Sequence, residues 1–175
     1  MRRRVPDVLL HTRVRDEAIE PNPYRWAPIH ARALMGHGRV VVFSFPAAFS
    51  PVCSDDHLPG VEALYDQFRE AGCREVFGLA VNDAFALHRW GEDLGIERTH
   101  LVPDGNGDFT RRMGMLVSRR DLGYGFRSWR YAFVAEDGEV TGWFEEPGIG
   151  DDGGTDDDPY GATRPERVLR WLREA

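Results

Sequence analysis

One of the chain's two cysteines sits where a reactive thiol is easiest to build. In VVVFSFPAAFSPVCSDDHLPG, Val40 to Gly60, an apolar run stops at Pro46, a Ser50-Pro51 pair follows, and Cys53 comes directly after. Ser50 suits an N-cap, and Pro51 suits the first helical position, where a missing N–H costs nothing. Cys53 then falls at the third helical position, beside unpaired backbone N–H groups and the positive end of the helix dipole. Both favour thiolate over thiol, and the thiolate is the nucleophile. Asp55 and Asp56 oppose that ionisation, so a cation from elsewhere in the chain is required. Spacing alone offers candidates for it without placing any of them nearby. The competing reading of Cys53 is a small buried hydrophobe, the usual fate of a free cysteine.

The elements that must position this turn can be followed along the chain. Residues 11–38 read as loop, with two prolines and an asparagine in EPNPYRW. Arg39 to Phe45 is a continuous apolar run of strand length, suited to burial on both faces. Val61, Leu64, Tyr65 and Phe68 recur at helical spacing after Cys53, and Gly72 ends that helix. REVFGLAV, Arg74 to Val81, is a second buried strand, and Asn82 or Asp83 caps a helix reaching about Asp93. HLVPDG gives a short strand and turn, and GDFTRRMGM a short helix. From Ser128, SWRYAFVAEDGEVTGWFEE reads as a hairpin whose Asp137-Gly138 pair supplies positive φ angles. Last, TRPERVLRWLRE opens with Thr163 and Glu166 spaced as a capping box, with Val168, Leu169 and Leu172 facing inward. Strand–helix–strand–helix, hairpin, helix is a thioredoxin-like α/β layout, a central mixed β-sheet flanked by helices.

The totals bound what such a site can serve. At 175 residues the expectation is a single domain with its core over about 5–172, large enough to fold without a disulfide or metal staple. Two cysteines are too few for a secreted disulfide framework and read as cytosolic thiols. No apolar run approaches the ~20 residues of a membrane helix, and the N-terminal MRRRVPDVLL has too short an apolar stretch for a signal peptide. A formal charge of −7 argues against a nucleic-acid partner. The expectation is a cytoplasmic globular protein acting on a small molecule.

Six short segments in register, the first two sharing Cys53, carry a family resemblance. PAAFSPVC has the spacing proline, three residues, serine or threonine, two residues, cysteine. CSDDHLPG, LAVNDAF, LVPDGNGDFTRRMGML, RSWRYAFVAEDG and EEPG follow in order, so the similarity runs from about Val5 to Leu172. In these segments the chain resembles the type-5 peroxiredoxins. The resemblance implies that Cys53 is the peroxidatic cysteine, attacking the O–O bond of hydrogen peroxide or an alkyl hydroperoxide. Ser50 would hold the peroxide by hydrogen bonds, Pro46 would pack over the site and restrict water, and Arg130 would be the missing cation. Arg127 reads as a second-layer or surface residue. His57, one turn beyond Cys53, reads as a packed histidine satisfied by backbone in preference to a general base. Such a displacement needs a thiolate, aligned oxygens and preorganised donors, and neither metal nor organic cofactor. A homodimer is implied as well, with PAAF and adjoining loops near its two-fold contact.

The chain departs from many peroxiredoxins in its second thiol. The only other cysteine, Cys73, opens CREVFGLAV, where the family places no resolving thiol. Twenty mostly helical residues at ~1.5 Å each put it about 25–30 Å from Cys53, far beyond disulfide reach. A one-cysteine mechanism is therefore expected, with an external thiol (glutathione, a glutaredoxin or a thioredoxin-like protein) as reductant. Two other functions compete: a general thiol–disulfide oxidoreductase, weakened by the absence of C-x-x-C, and a redox-sensing interaction module. GIGDDG, Gly148 to Gly153, spells a dinucleotide pattern but lies among carboxylates without a strand-to-helix context. DGNGD, Asp104 to Asp108, imitates an EF-hand start, yet Phe109 fills the glycine slot and Met115 the glutamate position, so a helix-capping turn is expected. DDGGTDDDPY reads as a solvated acidic loop.

Overall fold

The structure is a computed structural model that describes residues 3–150 and 158–175. The GIGDDG and DDGGTDDDPY readings fall largely on residues 151–157, outside the described residues.

The segment read as loop carries structure after all. It holds β2 (Arg13–Arg15), β3 (Tyr24–Trp26), β4 (Ile29–His30) and α1 (Ala31–Met35), with β1 (Leu9–Leu10) just before. β2 pairs with β3 and β1 with β4. Strands of two or three residues are too short to show a period of two, so their pairing decides them.

β5 (Arg39–Phe45) lies at the centre of a five-stranded sheet. Along it come β10 (Tyr131–Glu136) and β11 (Glu139–Glu145) on one side, β6 (Glu75–Ala80) and β7 (His100–Pro103) on the other. β5, β6 and β7 are parallel, while β10 runs antiparallel to both its neighbours. Alternation sends Val40 and Val42 to one face, with Met35, Phe77, Phe109 and Tyr131. Val41, Phe43 and Phe45 go to the other, with Cys53, Leu58, Phe68, Trp90 and Leu169. Each large side chain so buried contributes roughly 1.5–3 kcal/mol. Gly78 on β6 is needed for this packing: a Cβ there would meet Leu101 Cδ2 at 2.8 Å and Phe45 at 3.0 Å.

The second face is covered by α2 (Leu58–Ala63), α3 (Tyr65–Glu70), α4 (Ala84–Asp93) and α6 (Pro165–Glu174). The single helix expected after Cys53 is in fact three pieces. Cys53–His57 winds as a π turn, α2 follows, and the chain breaks at Leu64 before α3. Asp83, not Asn82, caps α4 by accepting from Ala86 N at 2.8 Å. α5 (Asp108–Arg112) starts from a turn in which Asp104 accepts from Phe109 N, Thr110 N and Thr110 Oγ1. β8 (Leu116–Ser118) and β9 (Phe126–Ser128) form a separate ribbon. The β10–β11 turn has the expected positive φ, 48° at Asp137 and 79° at Gly138. The capping box does not form. Arg164 occupies the N-cap of α6, and Thr163 Oγ1 donates to buried Glu146 at 2.8 Å. The hydroxyl thus donates to a full carboxylate beneath the helix, and the Thr163 oxygen is not placed to accept from the helix's first-turn N–H groups.

This is a thioredoxin-like fold, and its topology sets the position of the site. Pro46 and the Cys53 turn follow the C-terminal end of β5, the end where open α/β sheets place their ligands. Because β10 is antiparallel, with Tyr131 opposite Ser44, residue 130 arrives at that same end.

Candidate active site

From Pro46 the chain makes a tight turn, with Phe49 at a φ of 66°, and enters the helix. Ser50 holds the N-cap place with its backbone: its carbonyl accepts from Ser54 N at 2.9 Å. Its hydroxyl does not cap, and donates instead to the Ala47 carbonyl at 2.8 Å. Cys53 follows at the start of the π turn, fully buried. A π turn is a costly winding found most often at functional sites. Here Trp90 Nε1 braces it by donating to Ser54 Oγ at 2.9 Å.

Arg130 is the cation beside this turn. Although only 1% exposed, it stays charged. Burial works against the guanidinium, but the Cys53 sulfur and the Asp158 carboxylate outweigh it and hold its pKa above the usual value. Nη1 bonds His57 Nδ1 at 2.8 Å and Nη2 donates to Asp158 Oδ1 at 2.6 Å. Nε has no hydrogen-bond partner among the described residues, and Cys53 acts on the guanidinium through its charge.

His57 is neutral. Burial first, and then the charge of Arg130, push its pKa well below the usual 6.5. An arginine can only donate, so Nδ1 must be the acceptor and the proton sits on Nε2. The ring packs against Phe43, Phe45 and Tyr160. The expected packed histidine is there, but its hydrogen bond comes from the Arg130 side chain, and Nε2 has no hydrogen-bond partner among the described residues.

Pro46, Ser50 and Arg130 come together around one cavity of about 240 Å³. Pro51 and Val52 line it from the Cys53 turn, Leu122, Tyr124 and Trp129 from the β8–β9 side, and Asp158 and Pro159 close it. Arg127 also reaches it, half-buried, donating to the Val81 and Tyr124 carbonyls. Asp158, Tyr160 and Glu146 were not legible as site residues. Asp158 looked like one more carboxylate in a solvated acidic run, and only the Pro-Tyr after it set it apart.

A thioredoxin-like fold with a buried cysteine at a helix start, under a buried arginine that lines a small cavity, defines a thiol-dependent redox protein. The family model described as Redoxin matches residues 28–158. A peroxiredoxin of Rhizobium etli is 48% identical over 174 residues, covering 99% of this chain and 96% of that protein. The hybrid peroxiredoxin hyPrx5 of Haemophilus influenzae is 36% identical over 170 residues, 97% of this chain and 65% of that one. Among solved structures, the Plasmodium falciparum antioxidant protein, a 1-Cys peroxiredoxin, superposes with a TM-score of 0.90 at 26% identity, covering all of both chains. The chain belongs to the peroxiredoxin family, in its type-5-like branch, and its activity is that of a thiol peroxidase.

Proposed function

We propose that Cys53 is the peroxidatic thiol and that Arg130, Ser50 and Pro46 build the site around it. The thiolate attacks one oxygen of hydrogen peroxide or an alkyl hydroperoxide. The O–O bond breaks, and the other oxygen leaves with the electron pair and takes a proton as water or alcohol. Cys53 is left as a sulfenic acid. Arg130 stabilises both the thiolate and the charge on the leaving oxygen, while Ser50 at the cavity wall positions the peroxide. Pro46 limits water. The observation carrying this reading is the desolvated guanidinium of Arg130 facing the buried Cys53 sulfur.

Reduction of the sulfenic acid falls to an external thiol, glutathione or a glutaredoxin- or thioredoxin-like protein. Cys73 is 2% exposed, and burial pushes its thiol up to about 11, against the opposing pull of Arg39 and Arg69. At pH 7 to 8 it is a protonated, inert core group, two helices away from Cys53. The structural neighbour titled a 1-Cys peroxiredoxin fits this reading. Peroxide consumption with a panel of reductants, run beside Cys73→Ser, tests it: full turnover is expected in the variant, and sulfenic or sulfinic Cys53 in mass maps of peroxide-treated protein. An intrachain Cys53–Cys73 peptide as main product, with lost turnover in Cys73→Ser, overturns the one-cysteine reading.

The protein works as a cytoplasmic homodimer. Trp26, Phe49, Phe85 and Tyr124 are each about half exposed on the turns around the cavity and on the neighbouring β3 and α4, an apolar rim suited to a second copy. Sedimentation at micromolar concentration is expected to give the dimer mass, and a monomer alone counts against it.

A further inference from the structure

The segment 158–163 touches every group that holds the guanidinium. Asp158 takes Nη2 at 2.6 Å and, with Pro159, lines the peroxide cavity. Tyr160 lies 4.6 Å from the His57 ring, centroid to centroid, and the Arg130 and Arg164 guanidinium carbons sit 5.4 and 4.3 Å from its own ring.

One buried carboxylate fastens this strap. Glu146, 2% exposed, accepts from Gly161 N, Thr163 N and Thr163 Oγ1, all at 2.8 Å. Those donors outweigh the cost of burying the charge and keep the Glu146 carboxyl below the usual carboxylate range. The backbone of Glu146 in turn binds the Arg130 neighbourhood: its N–H donates to Arg130 O at 3.2 Å, and its carbonyl accepts from Trp129 Nε1 at 2.8 Å. The strap and the arginine are therefore registered through a single residue.

We propose that Asp158 is a positioning residue of the peroxidase, orienting Arg130 across Cys53, and that Glu146 sets the strap that presents it. This rests on Cys53 being the peroxidatic thiol. A guanidinium is a planar fork. With His57 taking one terminal nitrogen and Asp158 the other, rotation about the end of the side chain is blocked, and the guanidinium charge is held on the Cys53 side of the cluster. Positioning has an electrostatic cost. Asp158 offsets part of the positive charge that favours the thiolate, so its two effects have opposite signs. Other charges facing the cluster include Arg164, 3.7 Å from Asp56 on the π turn, Asp56 itself, Glu166 beside Tyr160, and Arg119 and Arg127 on the cavity wall.

Those opposite signs make the test specific. In Asp158→Asn the thiolate gains stabilisation while the arginine loses its alignment. Cys53 alkylation by iodoacetamide is expected to keep its rate or move to lower pH, while the second-order reaction with hydrogen peroxide slows about tenfold. Glu146→Gln replaces an acceptor of three donors by an amide and is expected to slow peroxide reduction through the same strap. The double variant should then be no more than about twofold slower than the slower single one. Asp158→Asn within twofold of wild type toward peroxide overturns the proposal. So does a parallel fall in alkylation and peroxide reduction, which marks a general loss of structure. Cys53→Ser run alongside separates the cases: if that variant keeps peroxide activity, the underlying assignment of Cys53 has failed, whatever Asp158 does.

Discussion

Cys53→Ser is expected to stop peroxide reduction, with a loss of about four orders of magnitude or more, as when a covalent nucleophile is removed. The change swaps one atom at a fully buried position, so the shape of the π turn is kept. A serine hydroxyl has neither the ionisation nor the sulfur electrons to take an oxygen from a peroxide. Burying it without a good acceptor costs about 1–3 kcal/mol, so the thermal midpoint should fall modestly while the fold remains. Peroxide consumption under a saturating thiol supply reads the outcome. A folded Cys53→Ser protein as fast as wild type would remove Cys53 from the mechanism.

Removing the charge of Arg130 should have the next largest effect. Arg130→Gln is expected to slow the reaction with peroxide by about 10²- to 10³-fold, the usual cost of deleting a preorganised donor to developing negative charge. Alkylation of Cys53 should also slow at neutral pH, and its pH profile should move upward, because a buried cation that acts on the sulfur has gone. The substitution also leaves His57 Nδ1 and Asp158 without their donor. Stripping one partner from a buried pair is destabilising, by up to ~3–5 kcal/mol where both are desolvated. Asp158 has 37% of its side chain exposed, so the loss here should be smaller. Denaturant midpoints taken beside the kinetics separate the two effects. An unchanged alkylation profile in a folded variant would place Arg130 outside the chemistry.

The two variants also discriminate between a peroxidase and a slow sensor. A sensor is oxidised once per thiol and does not recycle under any reductant. Wild type is expected to turn over many times and Cys53→Ser not at all.

The sequence by itself determined the parts whose information is local. β5 matches its apolar run from Arg39 to Phe45, because a strand buried on both faces must be apolar throughout. Pro51 after Ser50 marked the helix start, and Asp137-Gly138 marked the β10–β11 turn, because positive φ at both positions admits few residues. The motif order pointed to Cys53, Ser50, Pro46 and Arg130; Ser50, Pro46 and Arg130 line one cavity, while Cys53 lies buried in the turn behind Val52 and is not in its lining.

The tertiary structure alone decided which partners compete for each polar group. Ser50 was expected to cap its helix with its side chain, but its hydroxyl is turned back to donate to the Ala47 carbonyl. Thr163 and Glu166 had capping-box spacing, yet Glu146, 17 residues earlier, takes the threonine hydroxyl and two backbone N–H groups as well. His57 and Asp158 stand 73 and 28 residues from Arg130, and nothing in spacing or periodicity brings them to one guanidinium. The π winding at Cys53 and the short pairings over 9–30 were hidden for a related reason. Local pattern reports how a segment would fold alone, whereas a buried polar group is satisfied by whatever the folded sheet and strap bring within hydrogen-bonding distance.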